Sequence, residues 1–281
     1  MNSAQRLPSY RKPPVVEVLA SVQFDPVPLN IGHIGLLRER YRPALSKLET
    51  KPPISPVIER LGVRASVNRL QVQLSNEFEL PRVWFLSDSG DQLIQVQTDR
   101  FIRNWRAIPT LGNPYPRYED HLRPKFVEDF EIFRDFLGAE SIAEDLQVNQ
   151  CEITYINHIH PCECWSSHRD IGAVFLGWNS EYERSVGMPI EGVNLSFAHV
   201  LYDEDQPETF IGRLHVALQS AFLTPDESGR ERPIFVLTIT ARGRPTEKGV
   251  LGFLDAGRRA IVTTFDRMTT PKMHAVWEKD V

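Results

Sequence analysis

Alternation of apolar and polar residues is clearest over residues 91–106, DQLIQVQTDRFIRNWR. Read as one strand of period two, it sends Ile94, Val96 and Ile102 to one face and Gln95, Gln97, Asp99, Phe101, Arg103 and Trp105 to the other. The first set belongs in a core. The second mixes amides, charges and aromatics, as a recognition surface does. The turn formers Ser87-Asp88-Ser89-Gly90 just before it predict a hairpin back to a strand over residues 81–86.

The same pattern orders the rest of the chain. Residues 1–14 read as an N-terminal arm with three prolines. Residues 15–24 read as a β-branched strand closed by Asp25-Pro26. Asn30 caps a helix whose apolar positions Ile31, Ile34, Leu37 and Tyr41 follow helical spacing, and the proline-rich residues 51–56 read as a linker. Strands are expected over 57–67, 70–78 and 82–86. A helix is expected over 118–137, with Leu122, Phe126, Phe130, Phe133 and Leu137 on one face and Gly138 as its stop.

The second half follows the same programme. Val16-Glu17-Val18 through Asp25-Pro26 aligns with Cys151-Glu152-Ile153 through His160-Pro161 at an offset of 135. A helix beginning at Asp170-Ile171-Gly172 answers Asn30-Ile31-Gly32. Strands over 192–202, 209–223 and 233–240 precede a long helix over 246–277, interrupted near Pro271. The expected architecture is therefore α+β: two β-α-β(3-4)-α pseudo-repeats, residues 15–140 and 146–281, packed as one globular unit. They would form a curved antiparallel sheet, or two abutting sheets, with long helices on one side, in a TATA-binding-protein-like or helix-grip-like arrangement. Pairing the halves covers an edge and an apolar face that each would otherwise expose. Such topology carries no function with it.

At Pro13-Pro14-Val15-Val16-Glu17-Val18, Gln95-Val96-Gln97 with Asp99-Arg100-Phe101, Asn104-Trp105-Arg106, and Cys151 through Ile159, the chain resembles a sporadically distributed family of uncharacterised bacterial proteins. That resemblance implies a bacterial cytosolic protein of patchy occurrence, as accessory genes of defence or toxin-antitoxin type often are. It supplies no reaction and no catalytic role.

Composition narrows the classes. Of 281 residues, 41% are hydrophobic and 25% charged, which is the make-up of a globular chain. A net charge of -5 argues against generic nucleic-acid binding. The three cysteines, Cys151, Cys162 and Cys164, are too few and too bunched for a disulfide framework. No apolar run has the length of a signal peptide core or a membrane span, so a cytoplasmic location and no membrane partner are expected.

Candidate chemistry is sparse. His158, His160, Cys162 and Cys164 are weak candidates for a metal site. Four alternating residues of a strand spread over about 20 Å, and the usual zinc spacing is missing. Cys151 reads as packing, and a Cys164–His168 couple lacks any sign of thiol activation. No nucleophile elbow or phosphate-binding glycine loop is present, and Glu128 with Asp129 reads as solvated surface charge. With no catalytic residue and no cofactor indicated, the first expectation is a non-catalytic interaction protein. It would bind a partner through Gln95, Gln97, Asp99, Arg103, Trp105, Tyr155, Asn157 and His158 on the sheet surface. One alternative is a small-molecule or nucleotide-binding module with a pocket between sheet and long helix, enclosing some of Gln97, Arg103, Tyr155 and Asn157. The other is a metal-dependent hydrolase or nuclease using His158 and His160.

Overall fold

A computed structural model of the chain describes residues 7–60, 80–223 and 231–280. These form an α+β structure on one open antiparallel sheet. Its nine described strands are β1 (Val15–Phe24), β2 (Lys47–Lys51), β3 (Arg82–Leu86), β4 (Gln92–Gln97), β5 (Arg100–Arg106), β6 (Val148–Ile159), β7 (Asn194–Tyr202), β8 (Phe210–Leu223) and β9 (Arg232–Gly243), in the order β2-β3-β4-β5-β1-β6-β9-β8-β7. The helices are α1 (Ile31–Tyr41), α2 (Arg123–Ala139), α3 (Ile171–Val174), α4 (Ser180–Val186), α5 (Gly249–Met268) and α6 (Pro271–Val276). No described helix is long and apolar enough to cross a membrane.

β1 lies at the centre, paired with β5 on one side and β6 on the other. On one face Val18, Ala20, Val22 and Phe24 are fully buried, and their partners Trp105, Arg103 and Phe101 on β5, and Tyr155, Ile153 and Cys151 on β6, share that face. Helices cover it. On α2, Phe126 and Phe133 pack on Phe101, while Tyr41 of α1 meets Phe85. α5 lies so close over β6 and β9 that a Cβ at Gly257 would stand 2.8 Å from both the Ala241 Cβ and the Ile153 Cγ2. Only glycine lets the backbone approach that far. Each fully buried Phe, Ile or Val here contributes about 1.5–3 kcal/mol.

Several local expectations change. The opening stretch is a hairpin, β4 and β5, turning at Thr98-Asp99 with Gln97 opposite Arg100. The proline-rich region begins as strand β2, and residues 57–60 are not a strand; the remainder of 57–67 and all of 70–78 lie outside the described residues. Tyr118–Leu122 is a π-helical turn leading into α2, which runs one residue past Gly138 before Ser141 takes a left-handed φ of 54°. The helix expected from Asp170 is four residues long. The long C-terminal helix divides as expected, with Thr270 capping α6. The described part of the arm, residues 7–14, is docked: Tyr10 is buried and donates to Asp266 at 2.6 Å, while Arg11 and Lys12 donate backbone hydrogen bonds to Glu278 and Trp277.

Candidate binding face

The turn at Thr98-Asp99 decides where the expected site residues go. Two turn residues put Gln97 and Arg100 on the same side of the sheet, whereas an unbroken strand would oppose them, so every side chain after the turn changes face. Ile94, Val96, Phe101, Arg103 and Trp105 lie under the helices. Gln95, Gln97, Arg100, Ile102, Asn104 and Arg106 lie on the opposite, open face. Tyr155 and Asn157 follow Ile153 to the helix side, and His158 goes to the open face. The eight residues expected to act together are thus split between two surfaces, with Asp99 buried at the turn beside the Gln97 amide, 2.8 Å away.

Those under the helices are held by the fold. Trp105 is 2% exposed and packs on Tyr115. Arg103 forms an ion pair with Asp129 at 2.7 Å and donates to the Gln92 side chain at 2.7 Å and the Asn104 carbonyl at 2.9 Å. Asp129 is therefore no solvated surface charge, although Glu128 is exposed beside Lys125. The Tyr155 hydroxyl meets that of Tyr115 at 2.8 Å, and burial pushes its pKa up to about 12. Asn157 donates to the Leu237 carbonyl at 3.0 Å. A void between the arm, β6 and α5 is lined by Tyr155 and Asn157, without Gln97 or Arg103, and measures about 60 Å³. That is room for about two waters, far below the 300 Å³ or so at which ligand pockets begin.

The open face is organised by the chain itself. After β2, residues 52–60 run as a strap across the strands, over a row of directly paired positions: Gln97, Arg100, Gln23 and Gln150. The Gln97 amide accepts from the Ile54 N–H at 2.8 Å and donates to the Ile54 carbonyl at 2.9 Å. Gln23 accepts from Val57 N–H at 3.1 Å, Gln150 accepts from Glu59 N–H at 2.6 Å, and Arg100 donates to the Ser55 carbonyl at 3.2 Å. A chain crossing a sheet cannot join its ladder, so side chains must satisfy its backbone groups, and glutamine offers donor and acceptor together. These contacts read main chain, not side chains.

One strap side chain is read. The Glu59 carboxylate lies 2.6 Å from Arg213 Nη1, 2.5 Å from His215 Nε2 and 3.7 Å from Arg242 Nη1. Burial alone would push its pKa up; the hydrogen bonds from His215 and Arg213 outweigh that and hold it below the usual carboxylate range. Beside the strap a cleft of about 360 Å³ opens, lined among others by Arg82, Trp84, Arg100, Arg106, Glu152 and Arg242.

Sequence reasoning had Gln95, Gln97 and His158 on this face but missed Gln23, Gln150, Arg100, Arg213 and Arg242. The signal was present: each of these sits at a polar position of an alternating strand. Arg100 and Arg106 lie on the face opposite Arg103, and it is Arg103 that enters the core.

The other candidates resolve individually. The His158 and His160 rings stand 6.5 Å apart, and burial holds both below the usual histidine pKa. The Cys162 and Cys164 sulfurs are 2.8 Å apart, with Cys164 3.4 Å from the Met273 sulfur. Among the described residues no group of three or more His, Cys, Asp or Glu is placed to hold a metal ion. Cys151 is fully buried, and burial pushes its thiol pKa up to about 12, the state of a packing residue rather than a nucleophile. His168 lies 3.0 Å from the Ile234 carbonyl, with its ring against Phe235. No protein-family model and no curated protein matches the chain.

Proposed function

We propose that this chain is a non-catalytic binding protein whose open sheet face holds an extended segment of a partner protein, in the way it holds its own residues 52–60. The observation that carries this is the two-way hydrogen bond between the Gln97 side chain and the Ile54 backbone, extended by Gln23 and Gln150, each of which accepts from one strap N–H. Such contacts accept any extended main chain, and the Arg213, His215 and Arg242 cluster adds a requirement for one acidic side chain. In this reading the strap is a resident occupant, and a partner segment with a carboxylate in the place of Glu59 displaces it. The partner would be the companion component of a bacterial defence or toxin-antitoxin-type pair, as the family resemblance implies.

The architecture we infer behind this face is a duplication of TATA-binding-protein-like type. It is supported by the strand order: outward from the β1–β6 seam, β5, β4 and β3 on one side answer β9, β8 and β7 on the other. A symmetric sheet with helices on one side leaves the second side free for binding.

A labelled peptide of residues 51–60, added to the purified Glu59→Ala chain, tests the proposal by fluorescence anisotropy. The peptide should bind, and a peptide with glutamine in place of its glutamate should bind about tenfold more weakly, the worth of one charge-assisted hydrogen bond. Equal binding of the two peptides, or none, would sink the reading.

A further inference from the structure

The cleft beside the strap has a feature that peptide holding does not use. Four arginines and two glutamates line it: Arg82, Arg100, Arg106, Arg242, Glu17 and Glu152. Glu152 is taken by Arg242 at 2.5 Å, and Glu17 accepts from Asn104 at 2.6 Å. Among the described residues no carboxylate lies within ion-pair distance of Arg82, Arg100 or Arg106, and Asp99 and Glu152 act on Arg100 only from farther away. The two fully buried arginines among the described residues are paired, Arg103 with Asp129 and Arg213 with Glu59.

Donors point the same way. Arg82 Nε, Arg100 Nε, Trp84 Nε1 and Gln150 Nε2 are buried and have no acceptor among the described residues, and Gln150 as a whole is only 2% exposed. All four residues line this one cleft. A buried donor left without an acceptor is costly, so a cluster of them marks a place where acceptors belong. Cations also gather on Trp84, with Lys51, Arg82 and Arg106 at 4.8, 5.4 and 5.8 Å from its ring. Burial and the charge of Arg100 already press on the Arg82 guanidinium, a repulsion that an anion between them would relieve.

We propose that this cleft is an oxyanion site for a phosphate-bearing small molecule, seated between Arg82 and Arg100 beside Trp84. Guanidinium forks match phosphate oxygens in geometry and charge. The volume of about 360 Å³ falls in the range of metabolite pockets and leaves space for an organic group beyond the phosphate. The site shares Gln23, Arg100, Gln150 and Arg242 with the strap contacts, and Ile54 and Val57 of the strap line it; Arg82 and Trp84 lie outside those contacts, so it does not require the peptide reading to hold.

Titration calorimetry on the purified full chain, with inorganic phosphate, AMP and adenosine as probes, tests it. Phosphate and AMP should bind and adenosine should not; AMP tighter than phosphate by about tenfold identifies an organic ester as the ligand type, and equal affinity identifies free phosphate. Arg82→Gln should weaken AMP by about tenfold or more while leaving the thermal unfolding midpoint in place. Trp84→Phe, which keeps an aromatic ring and loses the Nε1 donor, should weaken it less. No binding of phosphate or AMP up to about 10 mM, adenosine binding as well as AMP, or an Arg82→Gln chain that stays folded and binds undiminished would each overturn the proposal.

Discussion

Replacing Trp105 by alanine removes an indole that is 2% exposed and packed on Tyr115 beneath the helices. The expected cost is about 3–5 kcal/mol, as for other large aromatic truncations in a core. Urea unfolding read by circular dichroism checks it; a loss below about 1 kcal/mol would mean that the site collapses around the gap. From the alternation alone the same residue belonged to a binding surface. Tryptophan and arginine are ambiguous in this way, because both are recognition residues when exposed and both serve a core when a partner is supplied. For Arg103 that partner is Asp129, which is distant in sequence and carries no local mark of its role. Gln97 was expected on a recognition surface, and Gln23 and Gln150, at polar strand positions of the same face, join it in holding the strap backbone. What the chain could not display was that the backbone recognised would be its own.

Among the elements, the strap is the one whose hold depends on pH. Glu59 is kept below its ordinary carboxylate pKa of 4.5, so its anchoring is fully present above that value and is lost as pH falls through the lower folded value. Amide exchange at Val57 and Glu59, followed by nuclear magnetic resonance from about pH 6 to about pH 3, should show protection falling in that acid window before β1 opens. In Glu59→Gln the same amides should be weakly protected throughout. If both chains lose protection together at every pH, Glu59 is not the anchor. The β4–β5 hairpin shows why element boundaries matter more than element type. Thr98-Asp99 lacks the glycine that usually announces a two-residue turn, so the strand was read through it. Both pieces were still strands, yet every side chain beyond the turn changed face. By contrast Ser87–Gly90 was legible, and Gly90 takes the left-handed φ of 78° that its turn needs.

At the scale of the molecule, the seam between β1 and β6 joins what would otherwise be two sheets, and the apolar face of both strands is buried under helices from either half. Neither half has a closed core alone. The chain should therefore unfold in one step: under denaturant, exchange protection in β4 and β5 should disappear at the same midpoint as in β8 and β9. Two separated midpoints would mean that each half holds its own core. The same placement explains why the open face is available, since helices from both halves lie on one side and, among the described residues, the strap crosses the other.

The α+β class, the broad alternation of strands and helices and the amphipathic face of α2 were determined by the sequence itself, because periodicity is a local property and each element carries its own. The tertiary structure alone decided which face each polar residue occupied, since one unannounced turn shifts the parity of everything beyond it. It also decided which charges found partners. Arg103 and Arg100 are three residues apart in one strand, and only the fold gives one of them an aspartate and leaves the other facing an open cleft.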